Sequence, residues 1–404
     1  MHRNASHAPN SALLRSTMLR SATCASLLSV AAVHANAAPE FEVYGFAQLD
    51  YIQDFGRVNP DWEATLRPSR IPTTSGFYGS DGTAIFSVRQ SRLGVQSSMP
   101  VEGKDLTIKF EFDMFGVGDD AGQTTMRLRH AYGEWGNVLA GQTNSLFMDG
   151  DIFPNVVDYW GPAGMVFLRN PQIRWTPVRG ESQLAVAIEK PGTDVDTGVF
   201  GRIDPNLNVQ SHQEIPDITA QFRLQNDSGH LQVAGILRQL AYETANTPGN
   251  EPDGDELGWG INFTSSLKLG DDKLMAGLVY GEGIASYMND GGTDLAPNNA
   301  GNNPAEAVPL TGALVYYDHY WTEQWSSSVG YSYTEVDNQR LQTGDAFESG
   351  EYASINLLHT PAKPLLMGVE MLWGKRTDND GNTGTDTRIQ LTLKYSFSSL
   401  DFQS

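Results

Sequence analysis

The sequence predicts an all-β chain in which sixteen antiparallel strands close into a transmembrane barrel, with short turns at one end and long loops at the other. Three observations carry that prediction. Apolar and polar residues alternate with a period of two in segment after segment. The connections between these segments alternate in length. After residue 40 no apolar run approaches the ~20 residues that a membrane helix needs.

The first residues stand apart from this pattern. Arg3, Arg15 and Arg20 precede SATCASLLSVAAV (21–33), too short to span a bilayer, and Ala35-Asn36-Ala37 forms an A-x-A site. Residues 1–37 therefore read as a secretory signal peptide and 38–404 as the exported barrel domain; an ordinary N-terminal helix would not need that ending. Removing the leader takes three of 27 basic residues and none of 48 acidic ones, which leaves 24 − 48 = −24. It also takes the only cysteine, Cys24, which lacks the Leu three positions earlier that a lipid-anchor site requires. The exported domain is expected to rely on packing and hydrogen bonds rather than disulfides. Its acidity argues against a nucleic-acid partner.

Strands are predicted at 41–53, 85–98, 105–116, 124–135, 138–144, 170–177, 182–190, 216–225, 230–242, 257–269, 273–283, 308–319, 324–336, 350–359, 364–376 and 387–397. Short links such as Gly136-Asn137 and Gly270–Asp272 alternate with longer ones at 54–84, 117–123, 145–169, 191–215, 243–256, 284–307, 337–349 and 377–386. The alternative, a secreted soluble β-sandwich acting as a binding module or adhesin, has no reason to gather its short turns at one end. An outer-membrane barrel does, and closure removes the strand edges that lipid would leave unsatisfied.

The two faces of each strand agree. In IKFEFDMF (108–115), Ile108, Phe110 and Phe112 alternate with Lys109, Glu111 and Asp113. A Lys or Arg facing lipid at mid-membrane costs ~2–4 kcal/mol, so the charged face is assigned to a water-filled lumen. LTLKYSF divides the same way, with Leu391, Leu393, Tyr395 and Phe397 opposite Thr392 and Lys394. Trp135, Tyr320, Trp321 and Trp325 flank predicted short turns, where an aromatic girdle would meet the periplasmic interface. QLTLKYSF (390–397) resembles the insertion signal of outer-membrane barrels. It departs by placing Thr392 at the usual Gly position and by continuing as SSLDFQS.

Six stretches then point to one family: VYGFAQLD (43–50), RQSRLG (89–94), KFEFDMFG (109–116), RLRHAYGEWG (127–136), LAGQT (139–143) and NPQIRWTP (170–177). In them the chain resembles the DcaP-like outer-membrane porins and, more distantly, the general diffusion porins. The later half matches mainly in strand rhythm, in LWGKRTDNDG (372–381) and in the last strand. The resemblance implies a homotrimeric channel in the Gram-negative outer membrane, contacting its lipid and admitting small anionic solutes, dicarboxylates among them. Only Ala38-Pro39-Glu40 separates the expected cleavage site from the first strand, so the helical extension of some members is not expected here.

Alternation sorts the basic residues. Leu93 and Val95 outward turn Arg92 inward; Arg127 and Arg129 share the face opposite Met126 and Leu128; Arg174 lies opposite Ile173 and Trp175. With Lys109 they form an expected basic ladder on the second, third, fourth and sixth strands, able to concentrate anions. The same arginines could instead pair with Glu111 and Asp113 and simply stiffen the wall. The loop 145–169 is too apolar to be freely solvated. In the family it resembles, this loop narrows the lumen, which makes Asp149, Asp151, Asp158 and Arg169 candidate constriction residues. Arg67 and Arg70 in the first long loop would extend the basic path outward.

No catalytic centre, metal site or cofactor is expected. Ser265 and Lys268 have the S-x-x-K spacing of acyl-transfer enzymes, but positions three apart on a strand face opposite sides. DNDGNTGTD (378–386) resembles part of a calcium loop without its closing Glu, and a hairpin turn accounts for it.

Overall fold

A computed structural model describes residues 39–116, 125–299 and 305–402; the expected leader, Cys24 and the predicted loop 117–123 lie outside them. The strands are β1 (Glu40–Asp54), β2 (Thr83–Ser87 continuing as Arg92–Val101), β3 (Lys104–Asp113), β4 (Arg127–Trp135), β5 (Val138–Asn144) and β6 (Arg169–Val178). Then come β7 (Ser182–Glu189), β8 (Val209–Ser211 continuing as Asp217–Asn226), β9 (Gly229–Thr244), β10 (Gly254–Leu269) and β11 (Asp272–Glu282). The last five are β12 (Pro309–Tyr320), β13 (Trp325–Val336), β14 (Phe347–Ala362), β15 (Leu365–Asp378) and β16 (Thr383–Ser398). Because β2 and β8 are each interrupted, the eighteen segments of the sheet make sixteen staves.

Each strand pairs antiparallel with the next, and β1 pairs with β16 from Tyr44↔Ser398 to Asp54↔Arg388, which closes the cylinder. Closure overturns the β-sandwich alternative. It also satisfies both edges of the sheet, the condition for crossing hydrocarbon with strands.

Burial is inverted relative to a water-soluble protein. On β16, Leu391 and Tyr395 are 47% and 56% exposed, whereas Arg388 and Gln390 are 0% exposed. Phe110 on β3 is 48% exposed beside Glu111 at 4% and Asp113 at 0%. The greasy positions form the outer surface, and the charged ones face the interior. Trp135, Trp175, Tyr320, Trp321 and Trp325 are exposed around the short-turn end.

The structure departs from the predicted boundaries in three places. The second strand breaks at 88–91, where Gln90 turns inward and its Nε2 donates to Asp50 Oδ2 at 3.0 Å and Val157 O at 2.8 Å. A short helix, α1 (Gly198–Ile203), and a small hairpin of Leu295–Pro297 with Ala305–Ala307 build up two of the long loops. The expected loop 377–386 contracts to a turn at 379–382, with Gly381 at φ 81° and its N–H donating to Asp378 O at 2.8 Å.

The segment 145–168 folds into the barrel. Phe147, Ile152 and Met165 join Val279, Leu314, Tyr316 and Leu372 of the inner wall in one buried apolar cluster, to which Leu66 and Ile71 of the first long loop are added. Gly164 is required at the tightest point, because a Cβ there would lie 2.2 Å from Tyr333 O and 2.4 Å from Ala313 O. The loop thereby packs mainly on the side of the lumen lined by β9–β15 and leaves a passage bordered chiefly by β1, β2, β4–β6 and β16.

Candidate pore and constriction

The open side is a cavity of about 920 Å³. Its lining includes Arg67, Arg70, Arg92, Arg127, Arg129, Arg169, Arg376 and Lys394, eight basic residues, against three carboxylates, Asp158, Asp194 and Asp290. The strands supply most of the basic wall because inward positions two apart on β3 and β4 stack charges in register, Asp113 opposite Arg127. A bulge between Glu111 and Phe112 lets Arg129 and His130 both approach Glu111.

Within that wall the ladder is knitted to acids. Arg129 donates from Nε to Glu111 Oε1 at 2.7 Å and from Nη1 to Asp113 Oδ2 at 2.8 Å. Arg127 binds Asp113 with both Nε, at 3.2 Å, and Nη2, at 2.9 Å. Glu111 also lies 3.5 Å from Lys109 and 3.6 Å from Arg92, and accepts from Tyr44 Oη at 2.8 Å. Both acids are buried behind the guanidinium groups and take no part in lining the cavity. Arg92, Arg127 and Arg129 thus line the cavity while each is paired with an acid buried behind it.

Three of these eight lining cations have no such partner. Among the described residues, Arg70, Arg169 and Lys394 form no ion pair with any carboxylate; Arg169 Nε has no hydrogen-bond acceptor, and its guanidinium rests 4.9 Å from the Phe167 ring. Lys394 Nζ lies 5.2 Å from the centre of the Phe46 ring, which Arg92 approaches at 5.2 Å as well. Burial pushes the Arg70 guanidinium below its ordinary value, and Arg67 alongside adds to the shift.

Several candidates fall elsewhere. Arg174 points inward but outside the cavity lining, donating to Gln172 Oε1 at 2.9 Å and to the Asn144 carbonyl. Lys109 also stands outside the lining. Arg169 belongs to the first position of β6 rather than to the inserted loop. The loop acids do not form a row facing the arginines. Asp149 is buried, accepting from His230 Nε2 at 2.7 Å and Thr264 Oγ1 at 2.6 Å. Asp158 reaches the lining but accepts from Thr65 Oγ1 at 2.8 Å, Leu66 N at 3.1 Å and Gly161 N at 3.1 Å. Burial pushes its carboxyl up, and those donors oppose the shift. Asp151 belongs to a second cavity of about 700 Å³ at the short-turn end, beside Arg223.

Sequence reading missed two groups of basic residues. Lys394 and Arg376 line the cavity, and the alternation that turned Lys394 inward was the signal for it. Arg238 and Arg388 also face inward, yet they are fasteners. Arg388 joins Asp54 and Asp386, each at 2.8 Å, to the carbonyls of Glu63 at 2.8 Å and Thr65 at 3.0 Å. Arg238 joins Asp217 at 3.0 Å to Asp294 at 3.1 Å. Nothing local in the sequence separates a fastening arginine from a lining one.

Comparison with known proteins gives a consistent picture. A family model described as DcaP outer membrane protein matches residues 39–397. No curated protein matches the chain. The crystal structure of the outer membrane channel DcaP of Acinetobacter baumannii is similar at 25% identity and TM-score 0.76, covering 90% of this chain and 99% of that one. OmpT of Vibrio cholerae, an outer membrane protein in trimer form, aligns at 12% identity and TM-score 0.54 over 89% of this chain and 100% of that one. Salmonella typhi OmpF in complex with daunomycin aligns at 10% identity and TM-score 0.53, covering 89% and 97%. The last two likenesses concern the fold.

Proposed function

This chain belongs to the DcaP outer membrane protein family, and from that premise we propose that its channel passes small hydrophilic anions, organic acids of the dicarboxylate type foremost. It is an outer-membrane β-barrel channel, and the long loops face the outside of the cell. The observation that carries the anion preference is the set of Arg169, Lys394 and Arg70, cations without ion pairs along a cavity whose inserted loop presents no opposing row of acid.

An anion entering past Arg70 meets unpaired cations and need not displace an existing ion pair. Low-dielectric walls focus their field and raise the local anion concentration. Arg127 and Arg129 add positive charge held in place by Glu111 and Asp113. Because the cations are spread along the passage, each contact is weak enough to be exchanged for the next, which diffusion requires. The net charge of −24 expected for residues 38–404 does not oppose this, since acid-rich segments such as EPDGDE (251–256) lie in the loop before β10 and at the loop end of that strand. Transport needs no energy source or cofactor in this reading, and nothing in the site suggests catalysis. We further propose that residues 1–37 direct export and that the barrel assembles as a homotrimer, as the trimer form of the Vibrio cholerae protein does.

Reversal potential across a planar bilayer under a salt gradient tests the proposal. The wild type is expected to prefer anions, and Arg169→Ala with Lys394→Ala to lose most of that preference. Cation preference in the wild type, or unchanged selectivity in the double variant, defeats it.

A further inference from the structure

Three segments far apart in sequence meet around Asn289 and Asp290 at the long-loop end. Asp290, fully buried, accepts from Arg67 Nε at 2.8 Å, Arg67 Nη2 at 2.8 Å, Ser69 N at 2.8 Å and Ser69 Oγ at 2.6 Å. The Arg67 guanidinium is held between two indole rings, 4.3 Å from Trp62 and 4.2 Å from Trp160. Trp160 belongs to the inserted loop and is tied to the same knot. Its Nε1 donates to Asn289 O at 2.6 Å, while Asn289 Nδ2 donates to Trp160 O at 2.8 Å and Pro162 O at 2.9 Å.

The knot is also anchored to the barrel wall. Arg376 on β15 donates to Ser69 O at 2.8 Å and is paired with Asp378 at 2.6 Å. Arg67, Ser69, Trp160, Asn289 and Asp290 all line the large cavity. The carboxylate, the guanidinium and the Trp160 indole thus border the water-filled passage where the first long loop, the inserted loop and the loop after β11 converge.

We propose that the Arg67–Asp290 clasp sets the size limit of the extracellular entrance, with Asp290 as its determining residue. The physical reason is that backbone bonds join the inserted loop to the loop after β11, Asn289 N to Met165 O at 2.8 Å and Phe167 N to Tyr287 O at 3.0 Å, whereas the first long loop is held to them at this point through side-chain groups. The first long loop is fixed to the loop after β11 through this buried, hydrogen-bonded charge pair, whose loss leaves a charge unpaired and frees the first long loop to move away from the entrance. The clasp's role is steric, because Asp290 neutralises Arg67. It rests on the channel assignment but is independent of the anion preference.

The test is swelling of proteoliposomes in neutral sugars of increasing size, from monosaccharide to trisaccharide, so that charge selectivity plays no part. Asp290→Asn is expected to admit the larger sugars several-fold faster than wild type while the smallest enters at a similar rate. A second variant, Ser69→Cys with Asp290→Cys, covers the case in which Asp290→Asn fails to fold. It should show the wild-type cut-off when oxidised to a disulfide and the raised cut-off after reduction, in one and the same preparation. An identical cut-off in the oxidised and reduced states, or in a folded Asp290→Asn channel, overturns the clasp. Failure of the anion reading would appear separately, in the wild-type reversal potential.

Discussion

Lys394 and Glu370 sit on adjacent strands, β16 and β15, and both side chains face the interior, yet their situations are opposite. Glu370 is 0% exposed and accepts from the backbone N–H groups of Val157 at 2.9 Å and Asp158 at 3.1 Å, and from Asn356 Nδ2 at 2.8 Å. Lys394 lines the cavity beside Phe46 with no carboxylate partner among the described residues. The inserted loop crosses in front of one and stops short of the other. Inward polarity alone therefore does not define a pore residue; what matters is whether the loop covers it.

The sharpest way to break this comparison is to uncover the packed side. Glu370→Ala leaves two buried backbone N–H groups without acceptors at ~1–3 kcal/mol each, and should unseat the loop. Single-channel conductance is expected to rise and the heated-to-folded gel transition to move to lower temperature; unchanged values for both would show that Glu370 does not hold the loop. Gly164→Val attacks the same seat sterically, since its Cβ would meet two strand carbonyls. Overpacking of this kind costs ~1–3 kcal/mol, so the thermal shift should be somewhat smaller.

On the open side the expected pattern is reversed. Lys394→Ala with Arg169→Ala should change reversal potential several-fold in permeability ratio and leave thermal stability near wild type. A large loss of stability would place these residues with the fasteners. Raising the salt from 0.1 M to 1 M contracts the screening length from about 10 Å to about 3 Å and should erode the anion preference progressively. The smallest effect is expected on the exposed Arg202–Asp345 pair, each side chain 62% exposed, where Arg202→Ala should alter stability by less than ~0.5 kcal/mol and selectivity not measurably.

These contrasts also show which parts were legible in sequence. The strands were, because a period of two is a local property and lipid punishes each violation separately. Arg92, Arg127 and Arg129 were placed on the correct face for the same reason, and the apolar content of 145–169 announced a packed loop. Asp149 and Asp158 could not be assigned locally. Their partners are Thr264, His230, Thr65 and Leu66, distant in the chain, and a buried, satisfied aspartate reads the same as a lining one. Arg388 and Lys394 share one strand and one face, six residues apart, and what distinguishes them is tertiary: Arg388 meets Asp54 and the loop carbonyls of Glu63 and Thr65 as well as its near neighbour Asp386.

By itself the sequence determined that this chain crosses a membrane as strands, and which side of each strand meets lipid, because both follow from side-chain alternation against two solvents. The tertiary structure alone decided where the passage runs. That depends on how the inserted loop fills one half of the lumen, through contacts between segments hundreds of residues apart, and these contacts select which inward charges remain in water.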